Sequence, residues 1–169
     1  MDTFEAIRTV LAVRRFRDTP IPDDVVREIV EAGRLTASGS NRQPWHLIVV
    51  RDKDMLHQLG SLVRTGPYIA QAPLAIVVCI ESANPLAISD GSRAIQDMIL
   101  AAWSRGVGSN WTGFHNIPAV KPVLGIPESL DVLGVVPFGY PVDKLGAGKK
   151  NRKPLGEVVS SERYGRPFA

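Results

Sequence analysis

The chain has 169 residues, 44% of them hydrophobic and 22% charged, which excludes a disordered chain and predicts one globular domain, residues 1–169, with a respectable core. A net charge of +3 is too mild to require a nucleic-acid partner. No segment approaches 18 uninterrupted apolar residues, so no membrane span is expected, and acidic residues with Arg8 stand where a secretory signal would be apolar, which makes the cytoplasm the expected compartment.

Thr3 to Val13 places Phe4, Ile7, Val10 and Leu11 at a spacing of three and four, which predicts a first helix. Ile21-Pro22-Asp23-Asp24 supplies Pro and carboxylates for the start of a second, running to about Arg34. Leu47 to Val50 reads as a short buried strand. Asp52 opens a helix that ends near Gly60, and a further helical turn is expected around Tyr68 to Gln71. Leu74 to Ile80 is apolar throughout, as a strand covered on both faces requires.

Asp90 to Arg105 carries the strongest helical pattern. Ala94, Met98 and Ala102 line one stripe and Ile95, Ile99 and Trp103 the next, with Gly106 placed to end it. So wide an apolar surface predicts a helix buried all round, in the core or at a subunit interface. Asn116-Ile117-Pro118 starts a short helix to about Leu124, and Val132 to Phe138 is a third strand. From Lys144 onward Gly, Lys and Pro break all periodicity, so residues 144–169 are expected to form an extended tail packed across a partner subunit.

Several chemistries find no support. Cys79 is alone and lies in an apolar strand, the setting of an inert buried thiol. His46, His57 and His115 have no metal-ligand spacing, so no metal is expected. Ser38 and Ser40 lack the strand–Gly-x-Ser-x-Gly context of a hydrolase, and no Gly-x-Gly-x-x-Gly follows a strand.

The most informative stretch is Ala37-Ser38-Gly39-Ser40-Asn41-Arg42-Gln43-Pro44-Trp45, between the second helix and the first strand. Ser and Gly let backbone donors approach a ligand closely, and Asn41 and Gln43 each offer a donor and an acceptor to a heterocycle edge. Read with Arg14-Arg15-Phe16 before it, this loop resembles the nitroreductase family. The likeness continues through Asp90 to Gly113, Gly125-Ile126-Pro127-Glu128, Gly139-Tyr140-Pro141 and Lys150-Asn151-Arg152-Lys153-Pro154-Leu155. It spans nearly the whole chain.

That resemblance implies an α+β nitroreductase-like fold, a small central sheet flanked by helices, in an intertwined homodimer with FMN at its interface. The implied cofactor-binding residues are Arg14, Arg15, Ala37, Ser38, Gly39, Asn41, Gln43, Thr112, Gly113, Lys150 and Arg152. Arg14 falls at the family's basic position near the flavin pyrimidine. A unit charge about 4 Å from another is worth roughly 4 kcal/mol at an effective dielectric near 20, so one Arg there matters. Thr112 and Gly113 match the segment whose backbone N–H approaches the flavin's redox nitrogen, with Trp111 and Phe114 as candidate walls. Lys150 and Arg152 match the phosphate-binding pair, and residues two apart in an extended segment point the same way.

One departure stands out. Gap-free alignment places Val10, Leu11 and Ala12 where the family usually has Arg, Arg or His, and Ser. Arg8, Arg15 and Arg17 are the candidates to substitute. The implied activity is FMN-dependent passage of a hydride from NAD(P)H to a small electrophile such as a nitroaromatic or quinone, with no side-chain acid or base. The alternatives are a flavin or deazaflavin carrier with little turnover, favoured by Val10, Leu11 and Ala12, and a structural dimer without a cofactor.

Overall fold

The computed structural model describes residues 1–115, 117–143 and 150–168. A four-stranded antiparallel sheet, β1 (Trp45–Val50), β2 (Leu74–Glu81), β3 (Gly108–Ser109) and β4 (Leu130–Gly139), runs in the order β1-β2-β4-β3. The helices are α1 (Thr3–Thr9), α2 (Asp23–Arg34), α3 (Lys53–Leu62), α4 (Ala87–Ser104) and α5 (Val120–Leu124), with α6 (Leu155–Val158) an exposed turn in the C-terminal segment. This is the α+β architecture of a small sheet flanked by helices. Among the described residues no helix is long and apolar enough to cross a membrane.

The apolar run of β2 is explained by cores on both of its faces. Leu74, Ile76, Val78 and Ile80 join Ile29 of α2 and Met98 of α4 on one side. Ala75, Val77 and Cys79 join Leu56 and Leu59 of α3 and Val120 of α5 on the other. Each fully buried aliphatic side chain contributes about 1.5–3 kcal/mol, so a strand with two such faces anchors the fold. Its pairing with β4 shifts between Val78 and Cys79: Val78 faces Gly134 but Cys79 faces Val132, which leaves Leu133 as an extra residue and bends the sheet.

Burial pushes the Cys79 thiol up to about 11. The native protein is therefore expected to resist thiol reagents at pH 8 and to react on unfolding. Because the folded value is raised, the thiol's contribution to stability is intact below the unfolded value of about 8.5 and disappears as pH rises towards 11. Denaturant titration across that window should show stability falling, and rapid labelling without unfolding would contradict the assignment.

The helix ends show where local pattern yields to tertiary pairing. Asp52 caps α3 as its spacing suggests, its Oδ1 accepting from Met55 N at 2.8 Å. Asp2 does the same for α1 through Glu5 N at 2.7 Å. The first helix stops at Thr9, not at Val13. Val10 is already extended, Ala12 bridges Ser109 in parallel, and Val13 N donates to Ser109 O at 2.9 Å. Pairing with β3 claims the last residues of the apolar pattern. Phe4, 74% exposed, and Ile7 consequently face out of the fold.

α4 begins at Ala87, before Asp90, and within its own chain it is amphipathic, with one face left open. Ala94, Ile95, Met98 and Ala102 are buried, while Ile88, Gln96 and Asp97 lie on the open side. In the tail, expected to be extended throughout, Leu155–Val158 instead form one helical turn; Leu155 and Val158 are exposed at 62% and 61%. Asn116, expected to open the short helix before Leu124, and the stretch 144–149 of the expected tail lie outside the described residues.

Candidate functional site

A cavity of about 850 Å³ opens where α1 and its extended exit meet α4, β3 and the C-terminal segment. Its apolar wall includes Val10, Leu11, Ile99 and Trp111, and Arg8, Lys150 and Arg152 bring cations to it. The sequence separation of the two basic groups is large; the fold unites them. Lys150 Nζ donates to the carbonyl of Ile7, one of the carbonyls left over at the end of α1. Burial, and then the neighbouring Arg152, hold the Lys150 ammonium below its ordinary range. Arg152 Nη1 donates to Asn151 O at 2.9 Å, leaving the rest of its fork free of other side chains among the described residues.

The arginines that follow separate into distinct settings. Arg15 pairs with Asp143 at 3.2 Å. Arg17 Nε donates to Pro141 O at 2.9 Å, and Arg17 N to Tyr140 O at 2.8 Å. Phe16 between them bridges Pro141 and is buried. Arg14 is exposed and borders, with Arg15 and Ala12, a smaller hollow of about 210 Å³. Ala12 borders both hollows, so Arg14 stands next to the main cavity but not in it.

The 37–43 loop is built as a rigid projection. Gly39 N donates to Oδ2 of buried Asp90 at 3.0 Å, and Asp90 also pairs with Arg93. Thr36 Oγ1 donates to Asp97 at 2.6 Å, tying the start of the loop to α4 as well. Just beyond these anchors Ser40, Asn41 and Gln43 adopt φ of 50°, 54° and 51°, a left-handed backbone that non-glycine residues adopt at a cost. Ser38 Oγ accepts from Gln43 N at 2.9 Å and fixes the turn. Asn41 and Gln43 point their amides from exposed positions, while Ala37, Ser38 and Gly39 lie along the loop's base. None of these residues lines the 850 Å³ cavity of its own chain.

Thr112 and Gly113 do not line it either. Thr112 is buried, with its N–H donated to Val135 O at 3.0 Å and its hydroxyl to the same oxygen at 2.5 Å. Gly113 N donates to Thr65 Oγ1 at 2.9 Å. Both backbone donors are thus engaged inside the fold. Of the two aromatic candidates, Trp111 forms cavity wall, whereas Phe114 is 66% exposed beyond it. Sequence reading did not single out Ser109 as a site residue: a two-residue strand has no periodicity to find.

Trp111 owes its position to Gly134. A Cβ built there would stand 2.3 Å from the indole nitrogen, which is buried and unpaired among the described residues. Gly134→Ala is expected to destabilise the protein by about 1–3 kcal/mol and to displace the ring, because a rigid indole cannot yield like a flexible chain end. Denaturant midpoints and tryptophan fluorescence would check it; an unchanged spectrum and midpoint would be the contrary result.

The model of the Nitroreductase family matches residues 8–85 and 64–140. A protein of Methanothermobacter thermautotrophicus named "Putative NADH dehydrogenase/NAD(P)H nitroreductase" is 33% identical over 154 residues, covering 86% of this chain and 81% of that protein. One of the same name from Archaeoglobus fulgidus is 36% identical over 152 residues, covering 85% and 87%. Among solved structures, a "putative nitroreductase in complex with fmn" from Desulfovibrio desulfuricans superposes with TM-score 0.81 at 28% identity, covering 97% of this chain and 98% of that one.

Proposed function

The chain belongs to the nitroreductase family, and from that premise we propose that it is an FMN-dependent oxidoreductase working as a homodimer, its residues 1–169 forming one domain. FMN, when bound, supplies the redox chemistry, passing a hydride from NAD(P)H to a small electrophile such as a nitroaromatic or quinone. The observation that carries the reading is the cavity with apolar Ile99 and Trp111 on its wall and three cations, Arg8, Lys150 and Arg152, around it. A cavity of about 850 Å³ is within the usual range for a small-molecule site. Its donor set fits a ligand with a flat ring and a dianionic phosphate, since guanidinium and ammonium groups bind phosphate through charge-assisted bonds.

Within that reading, Lys150 and Arg152 hold the phosphate, and Arg14, on the adjoining hollow, offers positive charge to the ring's pyrimidine end. The loop residues Ala37, Ser38, Gly39, Asn41 and Gln43 come from a second copy, since they project away from their own chain's cavity on an anchored turn. Arg15 acts through Asp143, orienting the segment that carries Arg14. Thr112 and Gly113, bonded to Val135 and Thr65, position the neighbouring Trp111 in this reading.

The carrier reading is favoured by Val10, Leu11 and Ala12, which present no cation or hydroxyl to the cavity. One experiment separates the two. Purified protein is expected to be yellow, with absorbance near roughly 450 nm from a flavin. Under anaerobic conditions NAD(P)H should bleach it, and a nitroaromatic or quinone should restore the colour. Colourless protein that takes up no flavin would overturn the assignment; a bound flavin that NAD(P)H does not bleach would establish the carrier instead.

A further inference from the structure

The cation count at the cavity is not explained by Lys150 and Arg152 alone. Residues 10–12 turn two branched aliphatic side chains and a methyl group towards it, so the stretch nearest α1 offers no side-chain donor. Arg8 lines the same cavity from the last turn of α1, just before the chain becomes extended at Val10. The other arginines nearby are placed differently: Arg15 is paired with Asp143, Arg17 is bound to Pro141 O, and Arg14 borders the smaller hollow. Among the described residues Arg8 has no carboxylate within ion-pair distance.

A basic residue in the last turn of a helix ordinarily serves the exposed carbonyls there. Here Lys150 already donates to the Ile7 carbonyl, which leaves the Arg8 head available to the cavity and sets the two cations on the same turn. Ser109 adds a second element. It is buried, it lines the cavity, and it pairs across the isolated bridge with Ala12. Its hydroxyl makes no hydrogen bond among the described residues, although its carbonyl is used by Val13 N. A hydroxyl therefore stands beside the position where residue 12 has only a methyl.

Resting on the FMN reading above, we propose that Arg8 and Ser109 complete the phosphate end of the site, supplying the charge and the hydroxyl donor that Val10 and Ala12 lack. The phosphate is then held by Arg8, Lys150, Arg152 and Ser109, and the ligand's charged end sits against α1 and β3. Arg8 and Ser109 are binding residues, selective for phosphorylated over unphosphorylated flavin.

The test uses the full-length chain freed of flavin by dialysis and titrated with FMN and with riboflavin, read by quenching of flavin fluorescence. Arg8→Gln is expected to weaken FMN binding by roughly tenfold and riboflavin binding by less than about twofold, and to flatten the loss of FMN affinity with added salt. Ser109→Ala is expected to weaken FMN binding by about threefold or more, again sparing riboflavin. Arg8→Lys should recover part of the loss, which a purely structural effect would not show, and unchanged thermal midpoints would exclude misfolding. If Arg8→Gln leaves FMN affinity unchanged, or lowers FMN and riboflavin equally, the proposal is overturned while the flavin reading stands. If the parent chain binds neither flavin, the FMN reading itself fails and this assignment falls with it.

Discussion

A chain carrying Leu155→Asp and Val158→Asp is expected to sediment as a monomer at micromolar concentration and to lose its flavin on gel filtration. Both side chains are more than half exposed on the single turn of α6, where none of the described residues covers them. Loss of even about 1 kcal/mol from each of these side chains, in both copies, weakens a homodimer by roughly a thousandfold. Introduced carboxylates add the cost of burying charge at an interface. The flavin should follow because the 37–43 loop does not line its own chain's cavity and, in the proposed dimeric site, is supplied by a second copy. Sedimentation velocity with absorbance detection at two wavelengths follows chain and flavin together. A parent protein that is already monomeric and retains flavin would refute the dimeric site, and a monomeric variant that stays yellow would assign the loop another task.

The sequence made the framework legible where one physical signal dominated. Asp23 and Asp24 after Pro22 mark the start of α2, Asp52 marks α3, and the unbroken apolar run of β2 reports a strand with a core on each face. Periodicity failed where pairing with a distant strand overruled it. Val10 and Leu11 continue the helical pattern of α1, yet Ser109 draws the chain into extended form from Val10 onward. Asp90 looks like a helix start because it is acidic; it lies inside the first turn of α4 and reaches across to Gly39. Of the candidate site, Lys150 and Arg152 are indicated by the family resemblance of the C-terminal segment, and both line the cavity. Which of Arg8, Arg15 and Arg17 could join them was not, since that depends on Asp143, Pro141 and the end of α1, all remote in sequence.

Asp90→Ala is expected to lower stability by about 3 kcal/mol and to weaken flavin binding at least tenfold, although Asp90 does not line the cavity. The carboxylate is 1% exposed and serves two donors, Gly39 N at 3.0 Å and the Arg93 guanidinium. Bonds to a charged group contribute about 1.5–3 kcal/mol each, and their loss leaves a backbone N–H unpaired. For a chain of this size about 3 kcal/mol corresponds to a fall of roughly 6–12 °C in Tm. The effect on binding has a separate cause. Ser40, Asn41 and Gln43 are held at positive φ, and a turn strained in this way keeps its shape only while its surroundings impose it. Without the Asp90 anchor the backbone is free to relax, and Asn41 and Gln43 lose the orientation with which, in the proposed site, they meet the ring edge. Gln43→Gly separates strain from recognition. Glycine accepts φ near 51° without penalty, so this variant should gain up to about 1 kcal/mol of stability. It should still bind flavin more weakly, because the amide is gone. Thermal unfolding and flavin titration on the two variants give four readings, of which one pattern is diagnostic: Asp90→Ala loses stability and affinity together, while Gln43→Gly trades one for the other. A Gln43→Gly chain that is more stable and binds flavin as well as the parent would show that the strain at this turn serves no ligand.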